Sequence, residues 1–324
     1  MDSLSLKHSI LSALAFGDLF DLPLTPEEIR RNLFFSKQRD VSTYDVLDML
    51  ENNSDVRARV ESYGGLYFFK GRRDIISIRL DRYAIAQRKY RRAKKIARVL
   101  AGVPFVRLIC ACNTLGWSNA RDESDIDFFI IAEHGHLWLV RMLCTGLMQI
   151  FGLRPTKQRM KDAICLSFFI ADDGLDVSRL FLSESRGMPD IYFFYWLLYC
   201  VPLYESDGMY ETFWKANEMR VLSVLPCASP YDTNDYRRIQ ISYSRRAIKK
   251  FFERCIGFLG DVPNRMARWI QLRVLPQDLR AILNTDTCVV MNDSVLKFHQ
   301  EDRREEIRER FMRRLEEFGV EVSD

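Results

Sequence analysis

The sequence lacks the residue patterns that mark several common kinds of site. It contains four histidines, and its eight cysteines include no Cys-x-x-Cys pair. Zinc sites depend on such spacing, and a disulfide framework is unusual in a chain this long, so we expect neither. The cysteines lie in apolar segments, which is typical of reduced core thiols in a cytoplasmic protein. There is no glycine-rich phosphate loop either.

Long apolar runs are absent as well. The most conspicuous run, residues 191–204, has 14 residues and contains Pro202, so it is too short to span a bilayer and fits a buried helix. The first residues, MDSLSLKHSILSALAFGDLFD, lack the basic segment and the cleavage site of a signal peptide. We therefore expect a cytoplasmic protein with no membrane span.

What the chain does contain is the composition of a folded protein, with 48% hydrophobic, 12% aromatic and 28% charged residues. Its 324 residues suggest two or three domains. The net charge of +4 is mildly basic, which does not by itself indicate a nucleic-acid partner.

The first part of the chain carries signals for three short helices. Apolar spacing predicts a helix over residues 5–20. Capping boxes formed by Thr25 with Glu28 and by Ser42 with Asp45 predict the starts of two more.

A hairpin is predicted next, over residues 56–69, with Val56 on its first arm and two glycines at the turn. Three helices followed by a hairpin give residues 1–75 the pattern of a winged helix-turn-helix, which either reads DNA or binds proteins. The third predicted helix, STYDVLDMLENN, has no Lys or Arg and offers phosphates a poor surface.

Residues 76–104 are expected to form a basic connecting helix. Between Arg72 and Arg98 there are eleven Lys and Arg residues but only two Asp. A solvated helix face is the ordinary explanation of such a run. The alternative is an electrostatic funnel for a triphosphate or a nucleic acid over residues 79–98.

Strands and helices are predicted to alternate over residues 105–185. The strands are expected at 105–111, 125–132 and 163–170, with a loop at 112–124 and an apolar helix at 134–152. Residues 186–324 are predicted to be mainly helical, beginning with a helix at 188–204, with one late strand at 286–293. The expected fold class is α+β, with an N-terminal winged helix, a central mixed sheet with helices and a mainly α-helical C-terminal domain.

The stretch SDIDFFII places two carboxylates where the chain enters its core. Residues i and i+2 of a strand project to the same face, so Asp125 and Asp127 point the same way. Burying uncompensated charge costs several kcal/mol. A Mg²⁺ ion removes that cost, because it is held by one or two carboxylates together with phosphate oxygens.

This strand-loop-strand order resembles the polymerase-β-type nucleotidyltransferase superfamily, in which Gly-Ser ends the first strand and Asp-x-Asp begins the second. The segment concerned is VRLICACNTLGWSNARDESDIDFFIIAEHGHLWLVR. The chain looks most like an uncharacterised bacterial group with an N-terminal winged helix and a helical C-terminal region. The helical region of that group is resembled here by two stretches, VPLYESDGMYETFWKAN and SVLKFHQEDRR. The similarity covers nearly the whole chain, but only residues 105–131 carry a motif with known chemistry.

The resemblance implies a Mg²⁺-dependent transfer of NMP from an NTP to an unknown acceptor, whether RNA, a protein or a small molecule. Asp125 and Asp127 would be the catalytic residues and the Mg²⁺ ligands. The nucleotide-binding residues would lie in the loop before them, at Cys112, Asn113, Asn119 and Ser124. Cys112 and Asn113 stand where the family has Gly-Ser. Asn113 can still donate through its amide, whereas Cys112 adds a Cβ that glycine lacks.

In this superfamily a third carboxylate on a later strand often acts as general base. The matching strand is predicted to carry no acid on the relevant face, which shows Cys165, Ser167 and Phe169. Acids that could serve instead are Asp162, Asp172 and Asp173. If none serves, the chain would be a degenerate relative that acts as a nucleotide sensor or as a nucleic-acid- or protein-binding module.

Other candidate residues have ordinary structural explanations. His134 and His136 flank a glycine and favour a turn over a metal site, and Arg141 favours a structural role. The aromatic segment 191–199 favours a packed helix over a ligand wall. A basic cluster near the C-terminus is either a nucleotide-phosphate clamp or, more ordinarily, a solvated helix start, and it comprises Lys297, His299, Arg303 and Arg304.

Overall fold

A computed structural model of the chain describes residues 5–36, 38–156, 159–232, 236–299 and 302–320. These residues form a mixed α/β structure with two sheets, one of two strands and one of six.

The N-terminal residues form helices α1 to α4 and the two-stranded sheet. Their bounds are α1 Leu6–Asp18, α2 Pro26–Arg31, α3 Thr43–Asn52, α4 Ser54–Arg59, β1 Val60–Tyr63 and β2 Leu66–Phe69. Both predicted capping boxes are confirmed, at Thr25 with Glu28 and at Ser42 with Asp45. The hairpin is shorter than predicted. Val56 lies in α4, because Asn53 caps that helix with its side chain.

The connecting helix α5, Ile75–Leu100, begins before the predicted basic segment. Many of its cations pair inside the molecule, so the run is not simply a solvated face. Arg79 pairs with Glu28 of α2 at 2.8 Å, and the buried Lys89 pairs with Asp162 at 2.8 Å. The helix thereby fastens the N-terminal helices to the loops of the large sheet.

The large sheet has the strand order β6-β3-β4-β5-β8-β7. β4 and β5 are parallel, and the other neighbouring pairs are antiparallel. The strands are β3 Val106–Ala111, β4 Ile126–Ala132, β5 Ile164–Ala171, β6 Val201–Glu205, β7 Val289–Met291 and β8 Val295–Phe298.

The remaining helices surround this sheet. They are α6 Asn113–Gly116, α7 Leu137–Ile150, α8 Ile191–Leu198, α9 Met209–Val224, α10 Tyr243–Phe258, α11 Val262–Arg273, α12 Gln277–Ala281 and α13 Arg304–Glu317.

The prediction of one helix over residues 188–204 is wrong in its second half. The helix ends at Leu198, and β6 follows as an edge strand of the large sheet. Pro202 fits there because an edge strand need not donate every backbone N–H to a neighbour. Residues after 185 also supply β7 and the unpredicted β8, so a boundary at 185 would cut the sheet.

The two faces of the large sheet bury two hydrophobic clusters. On one face, Phe129 of β4 lies 5.2 Å from the ring of Trp196 of α8. This cluster continues into the N-terminal helices, where Phe16 of α1 stacks on Tyr195 at 3.9 Å. The opposite face, with Ile130 and Phe169, packs against α5 and α7. The N-terminal helices and the sheet therefore share a core.

A buried ion cluster joins α13 to the rest of the molecule. Arg304 is 5% exposed, and its guanidinium contacts Asp190 at 2.6 Å and Asp302 at 2.7 Å. It also donates to the carbonyl of Leu180 and to the hydroxyl of Thr287. Asp190 caps α8, so one side chain connects two helices and the loop before β7.

We expect Arg304→Gln to lower the free energy of unfolding by about 3–5 kcal/mol, because it leaves buried carboxylates without their partner. Urea denaturation measures the change. Arg310→Gln, on the exposed side of the same helix, is the matched control and should cost no more than about 1 kcal/mol. Equal losses in the two variants would contradict the role of the cluster.

Candidate functional site

The acid pair lies where β4 and β5 begin side by side. Asp125 immediately precedes β4, and Asp127 pairs in register with Cys165 of β5. One ligand atom from each of Asp125, Asp127 and Cys165 lies within 4.8 Å of the other two. All three residues are partly buried, with some of their surface open to solvent. The start of the sheet therefore gathers two carboxylates and a thiol at one point.

Burial dominates the electrostatics of this cluster. It raises the pKa of Asp125 from 3.8 to about 7, and the neighbouring charge of Asp127 adds to the rise. The pKa of Asp127 is also raised by burial, although side-chain hydrogen bonds with Asn113 and Cys165 oppose the shift. Near neutral pH the pair therefore tends to retain a proton unless a cation replaces it.

A β-bulge decides which β5 side chains face the acids. Asp127 pairs with Cys165 and Phe129 pairs with Phe168, so β5 contains one extra residue over this interval. The prediction that Phe169 shares a face with Cys165 and Ser167 is wrong. Phe168 occupies that face, and Phe169 packs into the opposite cluster.

Two residues of the loop before β4 contact the acid pair. Cys112 is buried, its N–H donates to the carbonyl of Asp127 at 3.2 Å, and burial holds the pKa of its thiol well above the ordinary range. Asn113 starts the short α6 with φ of 55°, a left-handed conformation that Asn tolerates. Its amide hydrogen-bonds to Asp127, and its Oδ1 accepts from Tyr192 at 3.2 Å.

The other two predicted nucleotide-binding residues have internal partners. Asn119 is buried and donates to the carbonyl of Phe20 at 2.9 Å, which fixes the end of the α1 region against the loop. The hydroxyl of Ser124 donates to the carbonyl of Arg121, and its own carbonyl accepts from Lys89 at 2.6 Å. Both side chains therefore stabilise the loop.

Of the proposed third carboxylates, only Asp162 lies at the correct end of the sheet. Its carboxylate is held by Lys89 at 2.8 Å and by Arg88 at 3.3 Å. Asp172 follows the far end of β5, and Asp173 lies beyond it. The rise per residue of a strand puts Asp172 roughly 20 Å from Cys165. Cys165 lies beside the pair, so this face of β5 carries a thiol and no carboxylate there, as predicted.

Arg154 lies near the pair and was not recognised in the sequence. Burial lowers the pKa of its guanidinium, while the nearby Cys165 and Asp125 act in the opposite direction. Its Nη1 atom is buried and has no hydrogen-bond partner among the described residues. An unsatisfied buried donor is costly, so this nitrogen is suited to an incoming acceptor. No spacing rule connects Arg154 to residue 125.

A cavity of about 290 Å³ opens on the other side of Asn113. Its aromatic wall comprises Phe20, Phe168, Tyr192, Phe193 and Trp196, and its polar wall includes Asn113, His299 and Lys297. His299 also connects to the cluster, because its Nε2 lies 3.3 Å from the hydroxyl of Ser167, which lies 3.4 Å from the thiol of Cys165. Segment 191–199 is thus both a packed helix and a cavity wall.

The C-terminal basic cluster is largely neutralised by internal partners. Lys297 contacts Asp302 at 3.4 Å, and burial lowers the pKa of its ammonium group to about 8. Burial lowers the pKa of His299 to about 4, so its ring is neutral near pH 7. Arg304 belongs to the ion cluster described above, and Arg303 is exposed and pairs with Glu306.

The remaining candidates have structural roles. The ring of His136 stacks on Phe105 at 3.6 Å, and the backbone N–H of His134 donates to Asp172. Arg141 lies 4.1 Å from the ring centre of Phe298 and hydrogen-bonds to Gln271. These contacts fit the predicted turn at His134 and His136 and the predicted structural role of Arg141.

No protein-family model, curated protein or solved structure that we compared with the chain matches it. Within the described residues, no helix combines the length and apolarity needed to cross a bilayer.

We expect Mg²⁺ or Mn²⁺ to stabilise the protein more above pH 7 than below it. The pKa of Asp125 is about 7 in the folded protein and 3.8 ordinarily. Between these pH values the folded state holds a proton that the unfolded state has lost, so in the absence of a cation the free energy of unfolding falls as pH rises. Above pH 7 the ionised pair is free to bind a cation, which at about a hundredfold excess over Kd adds about 2.7 kcal/mol.

Thermal denaturation with and without the cation, across this pH range, measures the effect. Asp127→Asn should abolish the shift, whereas Asp173→Asn, an exposed acid at the far end of β5, should preserve it. A cation shift that is independent of pH, or that survives Asp127→Asn, would contradict the assignment.

Proposed function

We propose that the protein is a divalent-cation-dependent nucleotidyltransferase that moves NMP from an NTP to an acceptor. The observation that carries the proposal is the cluster of Asp125, Asp127 and Cys165 within 4.8 Å at the start of two parallel strands. Carboxylates with this geometry suit a cation that holds phosphate oxygens.

The donor set fits Mg²⁺ through its two carboxylates. Burial holds the pKa of the Cys165 thiol well above its ordinary range, so the thiol stays protonated and is a poor ligand for a hard cation. Asp125 and Asp127 would hold Mg²⁺, which when bound neutralises triphosphate charge.

The surroundings of the pair suit a nucleotide. The cavity beside Asn113 is small and aromatic, so it would take the base between side chains such as Tyr192 and Trp196. The triphosphate would then extend past Asn113 toward the acids. Arg154, whose buried Nη1 has no hydrogen-bond partner in the described part of the chain, would donate to a phosphate oxygen there.

The acceptor would approach over the exposed part of α5. Arg91, Lys95 and Arg98 are spaced i, i+4 and i+7, are exposed, and make no ion pair in the described part of the chain. With Arg88, Arg92 and Lys94 they line a groove that also contains Asp162, the residue next to the loop of the acid pair. A phosphate-bearing acceptor such as RNA fits this groove.

The N-terminal helices and hairpin fit a winged helix-turn-helix, and we assign them a protein-contacting role. Exposed residues of α3 include Asp45 and Glu51, and the helix has no Lys or Arg. An acidic helix repels phosphates, so this module is unsuited to reading nucleic acid.

A second function is favoured by the thiol at position 165. A neutral thiol cannot act as general base, and the proton of the acceptor would pass to solvent as the new P–O bond forms and pyrophosphate leaves. The loss of a positioned base costs about 10²- to 10⁴-fold in rate. The alternative is therefore a non-catalytic protein. It would act as a nucleotide sensor, or as a module that binds nucleic acid or protein.

Binding is tested by calorimetry with ATP, CTP, GTP and UTP in the presence of Mg²⁺. We expect Asp125→Asn with Asp127→Asn to abolish cation-dependent binding. Arg154→Gln should weaken triphosphate binding by roughly tenfold or more, because it removes a charge-assisted hydrogen bond, and should affect nucleoside binding less. Asp173→Asn is the matched control. Unchanged binding in the double variant would show that the site is wrong.

Turnover separates the two functions. Incubation of the protein with α-labelled NTPs and cell lysate should transfer label to one size class of acceptor, and the double variant should not. Saturable NTP binding without any transfer would reject the transferase and leave the non-catalytic nucleotide-binding protein.

A further inference from the structure

The helical hairpin formed by α10 and α11, residues 243–274, exposes an unusual amount of apolar surface. Phe258 is 92% exposed, Phe251 is 62% exposed and Trp269 is 56% exposed. In α10 only Lys249 is buried. Large exposed apolar patches mark sites of interaction with proteins or membranes.

Polar contacts fix one face of α10 to the molecule, and Ile256 adds apolar packing to the core. The ammonium group of Lys249 donates to the carbonyl of Val106 at 2.5 Å and to the hydroxyl of Tyr204 at 3.2 Å. One turn later, Glu253 accepts from the N–H of Phe105 at 2.7 Å and pairs with Arg107 at 2.9 Å. These contacts define the inner face of the helix.

The exposed aromatic residues lie on a different face of α10. At 100° per residue, Ile248, Phe252 and Leu259 lie about a quarter turn from the inner face, and Phe251 and Phe258 lie nearly opposite it. The inner contacts therefore hold Phe251 and Phe258 outward, whereas Ile248 and Phe252 line an open groove with Leu143 and Leu147 of α7. The helix cannot bury Phe251 and Phe258 without breaking the bonds of Lys249 and Glu253.

The junction of the two helices is also apolar. Phe258 and Leu259 close α10, and Val262 opens α11, where it is 59% exposed. Between them, Gly260 adopts φ of 58°, a left-handed conformation that glycine takes without strain. The junction of the two helices is therefore an exposed apolar surface.

The hairpin also carries the positive charge of the chain. Residues 243–274 contain eight Lys and Arg and two acids, a net charge of +6, whereas the whole chain has +4, so the other residues sum to −2. Four of its cations make no ion pair with any described residue, and they are Arg245, Arg246, Lys250 and Arg254.

We infer that the α10–α11 hairpin binds the surface of an anionic lipid bilayer, with Phe258, Leu259 and Val262 entering the headgroup region. Exposed aromatic and aliphatic side chains beside unpaired Lys and Arg are the combination that interfacial helices use. A second copy of the chain is the poorer occupant, because it would bring two surfaces of the same positive charge together.

The test is flotation of the full-length protein with vesicles of phosphatidylcholine alone or of phosphatidylcholine mixed with phosphatidylglycerol. We expect binding to the anionic vesicles only, weakened by added salt. Lys250→Glu with Arg254→Glu should reduce the partition coefficient at least about fivefold for each charge removed.

The apolar contribution is tested with Phe258→Ser combined with Leu259→Ser, which should abolish flotation. Both side chains are exposed, so the fold should be retained. Met219→Ser is the matched control, because Met219 is 88% exposed on α9 and should not affect binding. Arg57→Glu, an exposed cation of α4, is the control for charge.

Three outcomes would overturn the inference. They are the absence of flotation with anionic vesicles, equal flotation with neutral vesicles, and equal loss of binding in the control variants. Self-association measured by sedimentation equilibrium and abolished by the Phe258 and Leu259 changes, without vesicle binding, would assign the patch to a second copy instead.

Discussion

The burial of two neighbouring carboxylates at the start of β4 is the constraint around which this structure is arranged. β4 lies between β3 and β5, so the chain carries Asp125 and Asp127 to the edge of a core that both sheet faces cover. Desolvation makes the doubly ionised pair costly, and a retained proton or a cation must offset that cost. The hydrogen bonds from Asn113 and Cys165 lower it only in part.

The C-terminal half of the chain completes the environment of this pair. It supplies β6 and β8 on the two sides of the sheet, and α8 and α13 around the aromatic cavity. The ion cluster of Arg304 with Asp190 and Asp302 orders these segments. Because the guanidinium donates to carboxylates and a carbonyl, it builds the cavity wall and is not itself available to a phosphate.

Two basic helices differ in how many of their cations pair with acids of other segments. In α5, Arg79 and Lys89 form such pairs and connect the helix to the molecule, while Arg91, Lys95 and Arg98 stay exposed. In α10, most cations are exposed and make no ion pair with a described residue, and exposed aromatic residues accompany them. Charge content alone does not separate a structural helix from an interaction surface, because the separation depends on where acidic partners lie.

The sequence alone determined the features that depend on neighbouring residues. Capping boxes at Thr25 and Ser42, the strands β3 to β5 and the approach of Asp125 to Asp127 follow from hydrogen bonds and side-chain alternation over a few positions. Tertiary structure decided three other features. The bulge in β5 puts Phe168, and not Phe169, on the face of the acid pair. Residues 201–205 form an edge strand and not the end of a helix, and Arg154 lies near the pair. The first two depend on pairing between strands that are far apart in the sequence, and the environment of Arg154 depends on desolvation by the folded chain.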